Sequence, residues 1–341
     1  MTKALEKAIA VIDGTKTSEV MDDLTKEKAR RLIEGYDRHY RDGCPYTTVT
    51  TEQEFFLPII NPNTGRKSKT FRQGGKYDGI IANGSKRMLL EHKTTSQDLL
   101  DLSSPYWRRL AIDSQVSSYL LAHWQCGERL DGTLYDVIRK PTIRPKDIPA
   151  GSESKPLGTQ WELQNQFSYF GTQVTDNKDV FFAKKETPEL YGIRLAVHIR
   201  AEPEKYFRRI QVPRLDSEIA EYADELWAIA TEIRETRKTG NWYRNSNACC
   251  QYNTACEYLG VCSGEDDIDS DRWVHRKSNP ELDTDDERTL TNSAVKTFQT
   301  CRRKYYYRNE KRKEKRDKVH SPALQFGSLI HAALEAWWKH K

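Results

Sequence analysis

Nowhere in the 341 residues does an apolar run approach the ~18–20 residues that a membrane-crossing helix requires. The opening MTKALEKAIAVIDGTK lacks the basic flank, apolar stretch and small-residue cleavage site of a secretory signal. No G-x-x-x-x-G-K-[ST] sequence is present, which removes a P-loop ATP motor. No internal repeat of fixed period is visible. The seven cysteines are an odd number in a long chain without an export signal, so a disulfide framework is not expected. Neither sign of charge dominates: 55 Lys plus Arg against 50 Asp plus Glu leave +5, too little to imply an anionic partner. A soluble, cytoplasmic protein is expected.

Hydrophobic residues are only 37% of the chain, yet 8 Trp, 17 Tyr and 10 Phe are enough to build a core. Residues 17–42 carry Leu24, Ala29, Leu32, Ile33 and Tyr36 at helical spacings. The β-branched stretch 47–60, the turn NPNTG and the extended stretch 69–82 predict a hairpin. A third strand follows at 86–96 and a helix at 106–124. Residues 144–165 read as a loop, 189–200 as a strand, 214–238 as a long helix and 291–341 as a last helical unit. This succession predicts an α/β (α+β) fold, with a mixed central sheet flanked by helices.

Charge is uneven. Residues 301–319, CRRKYYYRNEKRKEKRDKV, hold ten basic and three acidic side chains, and 265–287 are rich in Asp and Glu. Basic residues among tyrosines suit a phosphate backbone with stackable bases, which makes Arg302, Arg303, Lys304 and Tyr305 candidate DNA contacts. A solvated helix face accounts for the same pattern. Cysteines cluster as Cys249-x6-Cys256-x5-Cys262, with Cys250 extra, a spacing suited to a soft metal. Three thiolates need a fourth ligand, and Cys301 is the candidate. Zinc and iron–sulfur both fit this pattern.

Asp78 falls near the end of the second strand, and Glu91-His92-Lys93 lies on the third. Residues i and i+2 of a strand share a face, so Glu91 and Lys93 project together. A neighbouring strand can bring Asp78 beside Glu91. Two close carboxylates repel unless a cation lies between them, and hard oxygen ligands suit Mg2+ or Mn2+. A lysine beside them can hold a water or a phosphate, a set suited to phosphodiester hydrolysis. A turn aspartate and a surface ion pair would produce the same short pattern. Gln115 and Tyr119 follow, one turn apart on the next helix.

GGKYDGII, LLEHKTTS and DSQVSSYLLA resemble the PD-(D/E)XK nuclease superfamily, in its RecB-type branch with a Q-x-x-x-Y helix. The resemblance implies that Asp78, Glu91 and the backbone carbonyl of His92 bind metal. It makes Lys93 the catalytic lysine, with Gln115 and Tyr119 supporting the site and Glu54 at its edge. GSLIH resembles the family's G-x-x-x-H and implies His331 as a further metal ligand. The cysteines resemble those of AddB-like and CRISPR-associated exonucleases, implying a [4Fe–4S] cluster on Cys249, Cys256, Cys262 and Cys301, with Zn2+ as the alternative. The segments that resemble the family's beginning, LTNSAVKTFQTCRRKYYYR and LQFGSLIHAALEAWW, here come last. Circular permutation, with the original termini joined near 282–292, explains this order. A fragment of a tandem array would also place them there.

Four regions are therefore expected: a nuclease core over 1–245, a cysteine-rich segment over 246–264, an acidic linker over 265–290, and a helical segment over 291–341 completing the core. The implied activity is that of a divalent-metal-dependent deoxyribonuclease, an exonuclease acting on DNA ends or single strands, working with a helicase or a recombination or defence partner. A non-catalytic DNA-binding or assembly subunit of the same fold and a zinc-stabilised RNA-binding protein are the alternatives.

Overall fold

A computed structural model describes residues 2–16, 21–147, 167–170, 172–174, 185–251, 254–318 and 321–341. Two helices open the chain, α1 (Lys3–Gly14) and α2 (Asp23–Tyr40). Each begins on a side-chain cap: Thr2 Oγ1 accepts from the Leu5 N–H, and an Asp22 carboxylate oxygen from that of Thr25. Residues 17–20 of the expected first helix lie outside the described residues. Next come β1 (Thr47–Ile60), β2 (Lys67–Asn83), β3 (Lys86–Thr95), α3 (Pro105–Leu110), α4 (Ser114–Gln125) and β4 (Thr133–Arg139). A small hairpin, β5 (Phe167–Tyr169) with β6 (Thr172–Val174), precedes α5 (Pro188–Ala201), β7 (Phe207–Val212) and α6 (Asp216–Thr239).

The remaining elements are short, apart from the last. They are β8 (Cys250–Gln251), β9 (Thr254–Ala255), α7 (Leu259–Ser263), β10 (Trp273–His275), β11 (Thr289–Leu290), α8 (Asn292–Thr300), α9 (Arg302–Tyr305), β12 (Lys313–Lys315) and α10 (Pro322–His340). Among the described residues no helix is long and apolar enough to cross a membrane.

The central sheet has six strands in the order β1-β2-β3-β4-β7, with β11 also paired to β2. The expected hairpin forms, with Thr47 opposite Ala82 and Gln53 opposite Tyr77. β3 runs antiparallel to β2 and parallel to β4, which makes the sheet mixed. Alternation along the strands sends side chains to two cores. Ile81, Leu90 and Leu134 pack with α1, α2, α5 and α10 on one face. Ile80, Leu89 and Tyr135 pack with α4, α6 and α8 on the other. This is the mixed α/β architecture expected from the sequence.

Three expectations change. Residues 189–200 form helix α5, not a strand: Thr187 caps it and Pro188 occupies its first turn. The stretch 106–124 is two helices, because Asp113 caps the backbone N–H of Gln115 and starts α4 anew. The acidic segment 265–290 is not a free linker. Trp273 and Leu282 are buried, β10 pairs with β12, and β11 enters the central sheet. Most of the expected loop 144–165 lies outside the described residues.

Candidate active site

The β2–β3 ladder ends at the pair Gly79–Leu90, while β11 occupies β2 further back, beside Arg72 and Gln73. Asp78 stands in the gap between them. Its Oδ2 accepts the backbone N–H of His92 at 2.6 Å, in place of the next rung of the ladder. Glu91 and Lys93 point the same way from β3, with Lys93 Nζ donating to Glu91 Oε1 at 2.6 Å. Lys93 also donates to Gln115 Oε1 at 3.0 Å and lies 3.3 Å from Asp113 Oδ2. Gln115 is held from its other end, its Nε2 donating to Tyr119 OH at 2.9 Å. His331 arrives from α10, with Nδ1 3.7 Å from Asp78 Oδ1. Asp78, Glu91, Lys93, Gln115, Tyr119 and His331 are thus brought together within one chain.

The electrostatics are those of a partly desolvated charged cluster. Burial pushes the Glu91 carboxyl up to about 7, against the pull of Lys93. Burial also raises Asp78, but the hydrogen bond and charge of His331, with His92, outweigh it and hold Asp78 below the usual carboxylate range. Burial lowers Lys93, yet Glu91 and Asp113 more than offset this and keep its ammonium charged. His331 is raised, because the attraction of Asp78 exceeds its own desolvation. Glu91 is 2% exposed, and its Oε2 has no hydrogen-bond partner among the described residues. A buried carboxylate oxygen without a donor is costly unless something else satisfies it.

The His92 ring turns away from the cleft, with Nδ1 3.3 Å from Asp136 Oδ2 in the core. Only its backbone is left on the side of Asp78. Glu54 is not at the site: its Oε1 accepts from the Asp283 N–H at 2.9 Å. Glu52 lines the cleft instead, on a backbone with φ of 51°. Asp113 and Glu52 escaped the sequence reading. The D-x-Q start of α4 could have indicated Asp113, whereas no local signal marks Glu52.

The cleft around Asp78 measures about 1240 Å³ and is walled by α8 and α10. Lys304 lines it, but the other three basic-segment candidates do not. Tyr305 is 2% exposed, its ring against Trp242 and Phe298, so it is a core residue and not a base-stacking platform. Arg302 is paired with Glu232 and covers the Tyr243 ring, and Arg303 donates to the Trp242 carbonyl. The wish of aromatic rings to be buried took this tyrosine–arginine run inward.

Cys249, Cys256, Cys262 and Cys301 line one small cavity of about 190 Å³, and all seven cysteines are free thiols. Cys301 Sγ accepts the backbone N–H of Asn245 at 3.3 Å. Cys250 is exposed and lies outside the lining. Among the described residues, no three His, Cys, Asp or Glu side chains are gathered closely enough to hold a metal ion as they stand.

The family model of the PD-(D/E)XK nuclease superfamily matches residues 289–341. The match supports membership of that superfamily. No curated protein matches the sequence. The matched segment brings His331 and Cys301, while Asp78, Glu91 and Lys93 reach them through the fold. The match supports a metal-dependent nuclease, and PD-(D/E)XK nucleases generally use Mg2+ or Mn2+. The residues present suit such an ion: Asp78 and the unpartnered Glu91 Oε2 are hard, anionic oxygen donors beside a charged lysine.

Proposed function

We propose that this chain is a PD-(D/E)XK nuclease, and specifically a DNA exonuclease that hydrolyses phosphodiester bonds at ends or in single strands. Asp78 and Glu91, with the His92 carbonyl and His331, would hold Mg2+ or Mn2+. When bound, the cation supplies polarisation of the phosphodiester and a lowered pKa for water. The chain's own residues do the rest. Lys93, kept charged by Glu91 and Asp113, donates a hydrogen bond to the attacking water or to a phosphate oxygen as negative charge grows there. Gln115 fixes the direction of that ammonium, and Tyr119 fixes the Gln115 amide. The walls of the cleft orient the strand.

The observation that carries this reading is Glu91 Oε2, buried without a partner among the described residues on a carboxylate whose other oxygen accepts from Lys93, beside an Asp78 that takes the place of the next β2–β3 rung. The reading extends to the cysteines, which would hold a [4Fe–4S] cluster, with Zn2+ as the alternative, because all four line one cavity. It also includes a rotated motif order, supported by a C-terminal segment that carries the family match and packs into its own chain's core. A cytoplasmic enzyme working beside a helicase or a recombination or defence partner completes it.

The test uses labelled linear single strands, linear duplexes and covalently closed circles with Mg2+, Mn2+ or chelator. Linear DNA should be degraded in either metal, circles spared, and all substrates spared under chelation. Lys93→Ala should lower cleavage by about 100-fold or more while the protein still binds a strand. Cleavage of circles overturns the exonuclease assignment, and retained cleavage by Lys93→Ala removes that residue from the mechanism.

A further inference from the structure

One wall of the cleft is made by α8, which meets the first turn of α4 where Ser114 donates to Asn292 Oδ1 at 3.0 Å. Its apolar residues Ala294, Val295 and Phe298 are buried in the core. Its other face repeats Ser293, Lys296, Thr297 and Thr300 at spacings of three and four, and all four line the cleft. Lys304 continues the same line beyond Cys301. Lys140, at the end of β4, enters the lining beneath the first turn of α10, where its Nζ donates to the Ala323 carbonyl at 2.6 Å.

Two of the three cations lack counter-charge. Neither Lys140 nor Lys304 has a carboxylate partner among the described residues, and burial alone lowers the Lys140 pKa. Lys296 has Asp113 at 3.6 Å but is half exposed, at 52%. A half-buried ammonium facing a cleft without an anion is uncompensated until an anion enters. Acidic groups gather elsewhere: Glu52 is bound to Lys76 at 2.5 Å, with Asp78 and Glu335 close enough to raise its pKa. The lining thus holds Lys296 and Lys304 on and beyond α8 with Lys140 opposite, and Glu52, Asp78 and Glu335 with Lys76 at the other end, while Glu281 is a further carboxylate in it. Rings are scarce. Tyr119 is the one phenol or indole in the lining among the described residues, 5% exposed and engaged by Gln115. Single-strand binders that hold bases offer exposed aromatic platforms, and this lining has none.

We propose that the cleft takes a single DNA strand by its sugar–phosphate backbone, with Lys140, Lys296 and Lys304 as phosphate contacts and no stacking of bases. This deepens the nuclease reading and rests on it for the identity of the ligand. The strand runs along α8 and presents a phosphodiester to the acidic end, where Asp78, Glu91 and Lys93 stand. Because it is held by charge, binding follows salt steeply and ignores base identity.

The test is fluorescence anisotropy of the full protein in chelator, with a labelled oligothymidylate and an abasic strand of equal length, over a range of salt. The abasic strand should bind within about twofold of the other. Lys140→Ala, Lys296→Ala and Lys304→Ala should each weaken both strands alike, several-fold, and reduce the salt slope by about 0.7. Lys304→Arg should restore binding. Thermal melts accompany each variant, and Lys→Gln exchanges, which keep the side-chain stem, replace any alanine variant that fails to fold. Tenfold weaker binding of the abasic strand overturns backbone-only recognition, and unchanged slopes overturn the lysine assignments. Cleavage in Mn2+ is scored separately. Intact strand binding without cleavage removes the nuclease reading and leaves the phosphate track, while cleavage with failed strand tests does the reverse.

Discussion

Asp136 shows how much one residue outside the cleft can decide. It is fully buried on β4, opposite Arg209 of β7 in the sheet register. Its carboxylate accepts from Arg209 Nε at 3.2 Å, from Trp338 Nε1 at 3.3 Å and from the Tyr36 hydroxyl, and it faces the His92 ring. One side chain thereby joins α2, α10, β3 and β7, including the element that carries His331 and the strand that carries Glu91 and Lys93. Although burial opposes its ionisation, Arg209 and His92 hold its pKa well below the carboxylate range. Asp136→Ala would leave the Arg209 guanidinium in the core without its carboxylate, held by the Tyr36 hydroxyl, Cys44 Sγ and the Tyr40 ring, a change that costs about 3–5 kcal/mol. The expected outcome is a large fall in the denaturation midpoint at constant m-value, and an unchanged midpoint would show that water already compensates Arg209. None of this was legible in the sequence: Tyr36, Asp136, Arg209 and Trp338 are far apart in the chain, and no local pattern distinguishes a buried aspartate from a turn residue. The juxtaposition of Glu91 with Lys93, and of Gln115 with Tyr119, was legible from strand and helix spacing, whereas bringing the two pairs and Asp78 to one site rested on the resemblance of their motifs to a family.

At the scale of elements, legibility followed periodicity. β1 and β2 alternate and flank a turn, so their hairpin could be foreseen. α5 could not be assigned from periodicity. Leu190 to Leu195 are all buried, Arg194 through its pair with Glu186, and a short mostly apolar run of this kind fits a buried strand as well as a helix. The Thr-Pro-Glu start was the signal available. Its burial comes from α2, which crosses it closely at Gly35. A Cβ at Gly35 would press on the Ile199 methyl group and the Phe207 ring, which lies 3.2 Å away. Ile199 is β-branched and buried, with little freedom to turn aside. Alanine improves helix propensity by about 1 kcal/mol over glycine, whereas overpacking costs about 1–3 kcal/mol. Gly35→Ala should therefore lower the melting temperature, or at best leave it level. A clear rise would mean that α2 and α5 can separate without loss.

For the whole molecule, the decisive feature is that the last fifty residues close structures begun by the first hundred. α10 packs on α1 and α2, its Trp337 Nε1 donates to Asp37 at 2.9 Å, and the Trp338 carbonyl accepts from Thr48 at 2.7 Å. Cys301 does the same for the cysteine-rich segment, at the joint between α8 and α9, where Asn245 donates to the Thr300 carbonyl at 2.9 Å. Lys304 lines both the cysteine cavity and the cleft. A group bound in that cavity would therefore stand beside Lys304, a residue of the cleft lining. A metal group held by thiolates from residues 249–262 and from Cys301 contributes its binding free energy to folding of this region. On the proposed cluster, Cys301→Ser should strip the visible colour, lower thermal stability and weaken single-strand binding. Its effect on strand binding should resemble that of Lys304→Ala, because both act on the same wall. Cys126→Ser, outside the cavity, should do none of these. A colourless parent protein containing stoichiometric zinc would exchange the cluster for a zinc site and keep the coupling. Cys301→Ser with full strand affinity would separate the cavity from the cleft.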